Sequence, residues 1–401
     1  MLDYDDALAR LLAGATVLAE HEDVATQAAA GRVLAQGLRS NIDVPPLDNT
    51  SMDGYALRCA DVPASGTKLV VAQRIPAGSV GHTLTPGTAA RIFTGAPVPA
   101  GADAVVMQEL CSVEGETITV NHMPHPGEWI RRRGEDIAAD AEVLAAGTRL
   151  TAAHVGVAAS VGAARLTVFR RLRVALFSTG DELAMPGEPL KPGGIYNSNR
   201  YTLRALLEGL GCQVADLGIV PDTREATRAA LREAAAGNDL ILTSGGVSVG
   251  EEDHVKPSVE AEGSLDLWKI AIKPGKPLAF GSVRRPSGSG QAAFIGLPGN
   301  PVSSFVTFLM LVRPFILKCQ GATELRPRAR GLQADFDFKG DPRREFLRAR
   351  INDSGGLDLF PNQSSGVLTS CTWADGLIDN PPRQAIARGD HLRFLPFSEL
   401  L

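Results

Sequence analysis

From Arg173 to Gln320 the sequence alternates short apolar runs with longer polar, helix-like segments: "RVALFSTGDEL", "SNRYTLRALLEGLG", "CQVADLGIV", "PDTREATRAALREAAAG" and "NDLILTSGG" follow one another. Continuous apolar runs mark strands buried on both faces, and helices between them are long enough to return the chain over a sheet. The pattern predicts βαβ units, and so a doubly wound α/β domain around a parallel sheet. Helix starts are signed. Asp222 with Glu225 three residues later has the form of a capping box, and Asn300-Pro301 offers a cap followed by proline in the first turn. The helix opened there holds the longest apolar run, "FVTFLMLV", which ends at Arg313. A membrane span needs ~20 such residues, so the run is read as a buried helix.

The rest of the chain has another texture. Residues 40–140 are rich in Pro and Gly with short apolar runs such as "KLVVAQ" and "ETITV", which predicts a small, mostly antiparallel β module. Its flanks read as helical: "DYDDALARLLAGA" and "EDVATQAAAGRVLAQGL" before it, "TAAHVGVAASVG" after it. A module inserted between such flanks makes one domain from two separated pieces of chain. The expected division is an α/β domain from 1–20 and 171–322, and a linking domain of helix and strand from 21–39 and 141–170. Residues 40–140 form the inserted β module, and 323–401 a C-terminal β domain resembling a barrel.

Composition excludes several classes. A net charge of -5 with 5% aromatic residues gives no general basis for binding nucleic acid, so any anion site is local. The acidic start "MLDYDDALAR" is unlike a secretory leader, and five scattered cysteines without a C-x-x-C point to reduced thiols; the expected compartment is the cytoplasm. His122 and His125 are read as sharing a Pro-rich loop without acidic or Cys partners, which argues against zinc. There is no G-x-S-x-G elbow and no intact P-loop.

In doubly wound sheets ligands bind beyond the carboxyl ends of the strands. "STGDEL", "PDT", "SGGVSVGEEDH" and "GLPGNP" all fall there. Glycine-rich turns let bare N–H groups close on phosphate oxygens, so Ser244, Gly245 and Gly246, with Pro298, Gly299 and Asn300, are candidate binding residues. "WKIAIKPGKP" adds Lys269, Lys273 and Lys276; an extended Lys269–Lys273 puts two ammonium groups on one face, and the Pro-Gly turn returns the third. Like charges so close repel unless they face an anion. Asp53, Asp136, Glu182, Asp222 and Asp253 lie in turn-like sequence, and carboxylates interleaved with lysines suit Mg²⁺ beside a phosphate.

"PPLDNTSMDGYA", "RIFTGAPVPAGADAVV", "RRRGEDI", "VALFSTGDEL", "YNSN", "SGGVSVGEEDH", "KPGKP" and "LPGNPVSSF" occur in one order along nearly the whole chain. In that order they resemble the molybdopterin molybdenumtransferases, the MoeA proteins and the E domain of gephyrin. The resemblance implies a multidomain, elongated chain and a Mg²⁺-dependent transfer of molybdenum from molybdate to adenylyl-molybdopterin with release of AMP. It also implies a homodimer with the active site at the subunit interface, supplied by a molybdopterin adenylyltransferase and serving molybdoenzyme apoproteins. Asp53, Asp136, Glu182, Asp222 and Asp253 match the family's acids, with Glu182 and Asp253 as metal ligands, and Thr94 matches by motif. Lys273, Lys276, Arg344 and Ser365 match its molybdate pocket; Arg343 could stand in for Arg344, and Glu251 or Glu252 for Asp253. A non-catalytic scaffold of the same fold is the alternative.

Overall fold

The computed structural model describes residues 1–246, 254–288 and 290–401. The α/β region contains β1 (Arg173–Thr179), α1 (Ser198–Gly209), β2 (Gln213–Val220), α2 (Arg224–Gly237), β3 (Leu240–Ser244) and α3 (Val255–Glu262). There follow β4 (Gly263–Lys269), β5 (Ile272–Lys273), β6 (Pro277–Arg284) and β7 (Gln291–Leu297). One sheet has the order β2-β1-β3-β7-β6-β4. The first four strands are parallel, whereas β6 and β4 run antiparallel. The strand order reverses at β1, between β2 and β3, and the crevice opens at such a switch point.

Alternate side chains of the central strands go to opposite faces. Val174 and Leu176 of β1, Leu240 and Leu242 of β3, and Ile295 of β7 join α1 and the long helix after Asn300 in one core. Ala175, Phe177, Ile241 and Phe294 join α2 and α3 on the other face through Leu231, Ala234, Val255 and Val259. Strands buried on both sides require the continuous apolar runs seen in the sequence. The helix after Asn300 is α4 (Pro301–Thr307), a π-helical turn at Phe308–Val312, and α5 (Arg313–Cys319). Together they make the one helix among the described residues long and apolar enough to cross a membrane, and it is 94% buried. The N-terminal helix Tyr4–Ala13 joins the first of these cores, and Leu2 bridges to Ile270.

Two sequence expectations fail here. Residues 22–38 form no α-helix, only a 3-10 turn at Thr26–Ala28: His21–Ala25 is a strand paired antiparallel with Arg165–Phe169, and Leu38–Arg39 pairs with Glu142–Leu144. Gly31 at φ +79 stops any helix, while bridges from Val33 to Arg149 and Leu34 to Val168 hold the chain extended, so tertiary pairing overrides the alanine content. The capping box does not form, because the cap sits one residue later and Ala226 at the third helical position has no side chain to return a bond. Thr223, not Asp222, is the N-cap of α2, its hydroxyl accepting the Ala226 N–H at 3.3 Å.

Residues 54–120 carry a six-stranded sheet in which only Thr67–Ile75 and Thr88–Ile92 pair in parallel. The C-terminal sheet is built on β8 (Arg344–Ile351), β9 (Gly376–Asn380) and β10 (His391–Pro396). Its edge is β5, supplied from the α/β region and paired in parallel with β8. That one strand carries Lys273 out of the first sheet and into the second.

Candidate active site

A cavity of about 740 Å³ lies where the ends of β1, β3 and β7 meet the C-terminal sheet. Its size suits a small-molecule or cofactor ligand. The floor is bare backbone. Gly245 sits at φ +88 and Gly246 at φ +63 directly after β3. A Cβ on Gly246 would stand 2.5 Å from Val255 Cγ2 and 2.7 Å from Thr179 Oγ1, so a side chain is excluded by space as well as by φ. Below them the Ser178 and Ser244 hydroxyls share a buried hydrogen bond at 3.2 Å. Pro298, Gly299 and Asn300 form the third edge. The Asn199 amide donates to the Gly299 carbonyl at 2.7 Å, and Asn300 begins α4 with Pro301 in its first turn, though without a side-chain cap bond.

Two further polar groups line the floor, and the sequence reading passed over both. Thr179 is 4% exposed and its hydroxyl has no hydrogen-bond partner among the described residues; Asn197 is 2% exposed and its Nδ2 has none among them either. The other end of the Asn197 amide accepts the Arg200 N–H at 3.2 Å and caps α1. Asn197 is the first Asn of "YNSN", so its signal was in the quoted motif but carried no charge to attract notice.

The opposite wall is charged. Lys273, Lys276 and Arg343 line it together with Ser364 and Ser365. Lys273 Nζ lies 3.0 Å from Glu345 Oε1 and 3.1 Å from Asp341 Oδ2. Burial pulls the Lys273 ammonium down, but Glu345 and Asp341 outweigh it and hold the group above the ordinary lysine range. Arg343 Nε is 3.0 Å from Asp341 Oδ1, and this guanidinium, helped by the Arg343 N–H and Lys273, holds the Asp341 carboxyl well below the usual carboxylate range. The Ser365 carbonyl accepts the Val302 N–H at 3.0 Å, tying this wall to the first turn of α4.

The cavity gathers Glu182, Ser244, Gly245, Gly246, Lys273, Lys276, Pro298, Gly299, Asn300 and Ser365 of the expected residues. Others lie elsewhere. Lys269 ends β4 opposite Pro277, with its side chain in solvent; the chain leaves that sheet at Ile270, so Lys269 and Lys273 do not share a face. Arg344 points away from the cavity into a bidentate pair with Asp379 at 2.6 and 2.7 Å, bonds Asp5 at 2.8 Å and covers the Tyr4 ring. Arg343 occupies the wall in its place. Asp222 follows edge strand β2 and does not line the cavity. Asp253, with Glu251 and Glu252, falls outside the described residues.

Asp53, Thr94 and Asp136 belong to the β module and do not line the cavity of their own chain. Asp53 and Thr94 do meet: the Thr94 hydroxyl and N–H donate to Asp53 Oδ1 at 2.6 and 2.7 Å, which holds that carboxyl below its ordinary value. Asp136 is exposed. Against expectation, His122 and His125 do have an acidic partner, Glu128, three residues past His125, whose oxygens lie 2.8 and 3.7 Å from their Nε2 atoms.

Comparison with known proteins gives one answer along the chain. Residues 2–162 match the family model for the MoeA N-terminal region (domain I and II), 175–318 that for a probable molybdopterin binding domain, and 332–397 that for the MoeA C-terminal region (domain IV). A molybdopterin molybdenumtransferase of Haemophilus influenzae is 39% identical over 412 residues, covering 100% of both chains. One from Nostoc sp. is 41% identical over 362 residues, covering 87% of this chain and 82% of its own. Among solved structures, a molybdopterin biosynthesis moeA protein from Pyrococcus horikoshii OT3 superposes with a TM-score of 0.84 at 28% identity, covering 99% of this chain and 100% of that one.

Proposed function

The chain belongs to the MoeA family of molybdopterin molybdenumtransferases and is a transferase of molybdenum-cofactor biosynthesis; from that premise we propose that it moves molybdenum from molybdate to adenylyl-molybdopterin, cleaving the phosphoanhydride and releasing AMP. The observation that carries this reading is the two-sided cavity, with bare glycine backbone on one side and three cations on the other. The Gly245, Gly246 and Gly299 edge suits the phosphate and pterin, since unhindered N–H groups and the start of α4 favour an anion there. Lys273, Lys276, Arg343 and the Ser365 hydroxyl suit a tetrahedral oxyanion. Thr179 and Asn197 also line this space.

Glu182 is the only carboxylate among the described residues that line the cavity. Mg²⁺ binds through one or two carboxylates plus substrate phosphates and water, so this donor set fits the ion when substrate completes it, with Asp253 the second candidate. When bound, the ion would neutralise charge on the phosphoanhydride. Asp53, Thr94 and Asp136 find a role if a second copy of the chain brings its β module to the cavity mouth, which makes the homodimer the working unit. A molybdopterin adenylyltransferase would supply the substrate, molybdoenzyme apoproteins would take the product, and the cytoplasm is the compartment in which we place the reaction.

The test is direct. Purified protein incubated with adenylyl-molybdopterin, molybdate and Mg²⁺ should release AMP and yield cofactor that activates a molybdoenzyme apoprotein. Bound substrate that yields no AMP at any molybdate concentration would leave only the scaffold.

A further inference from the structure

Glu345 is fully buried, at 0% exposure, and stands opposite Lys273 in the parallel register of β5 and β8. Lys273 Nζ is ion-paired with both Asp341 and Glu345, and neither Glu345 oxygen has a hydrogen-bond partner among the described residues, so Glu345 acts on the ammonium through its charge. Asp341 also holds Arg343. The wall therefore carries three cations backed by two carboxylates, a net charge of 3 − 2 = +1. Of the nearby cations of β8, Arg344 is offset by Asp379 and Asp5, whereas the buried Arg348 bonds only the neutral Phe346 carbonyl and Ser370, so its charge also bears on Glu345 and adds to the field behind the wall.

Burying a carboxylate is costly, and an apolar residue of similar volume would serve the sheet at least as well. The acid does something that such a residue would not. It damps the field of the wall. Unscreened charge attracts every dianion alike, whereas directed N–H groups discriminate by the size and shape of the oxyanion. Resting on the reading of this wall as the molybdate site, we propose that Glu345 is a specificity-determining positioning residue: its buried charge holds the Lys273 ammonium in place and lowers the wall's net charge, so that molybdate is chosen over sulfate by geometry.

The experiment is titration of the full-length protein with sodium molybdate and with sodium sulfate, for the wild type, Glu345→Gln and Glu345→Asp, with melting temperatures recorded alongside. Glu345→Gln keeps an acceptor but removes the charge. It should bind sulfate about threefold to tenfold more tightly and lose a similar factor in its molybdate preference, and its affinities should depend more steeply on salt. Glu345→Asp should restore the wild-type preference. A folded Glu345→Gln with unchanged or weakened affinity for both anions would overturn the proposal, since a mere structural mount predicts that. Should Glu345→Gln not fold, wild-type salt dependence decides: weakening of molybdate binding by about threefold or less from roughly 0.05 to 0.5 M NaCl fits a wall whose charge is damped, and a far steeper loss does not. A wild type that binds neither anion would sink the molybdate reading itself, and this inference with it.

Discussion

The two sides of the cavity achieve order by different means. The glycine side is set by chain geometry: Gly245 and Gly246 hold positive φ angles at the end of a strand buried on both faces, in space that a Cβ would fill. The cationic side is set by ion pairs between segments about seventy residues apart, where Lys273 meets Asp341 and Glu345. The first is rigid because the alternatives are sterically closed. The second keeps its shape only while both partners are charged. Substitutions should therefore fail abruptly on one side and by degrees on the other.

The most severe test of that contrast is Gly246→Ala. The methyl clashes with Val255 and Thr179, and φ +63 adds about 1–2 kcal/mol of backbone strain. AMP release should fall at least about a hundredfold, with a lowered melting temperature. A near-normal rate would show that the floor can give way.

Adjacent arginines sharpen the comparison next. Arg343→Ala should raise the molybdate concentration for half-maximal rate by about tenfold or more and change melting little, as its bonds to Asp341 and the Ile272 carbonyl are partly exposed and two of the three are long. Arg344→Ala should do the reverse, costing about 3 kcal/mol because Asp379, 4% exposed on its side chain, loses its bidentate partner. Equal kinetic effects would mean that the wall has been assigned to the wrong residue.

Asp53→Asn should cut turnover about tenfold while the melting temperature holds, since Thr94 can still bond the amide oxygen. Mixed with Lys273→Ala, it should regain part of the activity if two chains share each site. No regain after subunit exchange would count against that arrangement.

The smallest effect concerns pH. Asp341, depressed, contributes above the ordinary carboxylate value and loses its charge only as pH falls through its lowered folded value. Lys273, raised, contributes below the ordinary lysine value and is lost only as pH rises past its folded value. Between roughly pH 6 and 9 the molybdate half-saturation should move by less than about twofold. A titration inside that window would place a different group on the wall.

What the sequence disclosed follows the same division. The strand-end loops were legible because the βαβ pattern fixes where strands end, and Gly245, Gly246, Gly299 and Glu182 follow from that alone. The wall was legible only in part. Neighbouring side chains at the start of a strand face opposite ways, so the choice between Arg343 and Arg344 depends on the pairing of Ile272 with Arg344. No local pattern contains that register. Asp341 and Glu345 were invisible for the same reason, and Lys269 was overcounted because a turn at Ile270 moves the chain from one sheet to another. In residues 22–38 local alanine content lost to strand partners more than a hundred residues away.

The short strand Ile272–Lys273 has one more consequence. Because it hydrogen-bonds into the C-terminal sheet while both its neighbours in sequence belong to the α/β sheet, the tail is stitched to the catalytic cleft through main chain. Cutting the protein after α5 would not release an intact upstream fragment. It would strand a two-residue ribbon without its ladder, and the amides of that ribbon would be the first to trade protons with water. The width of the cleft is thus gauged by hydrogen-bond register, as a ruler is by its marks, and hinge-like opening between these two regions would have to unzip it.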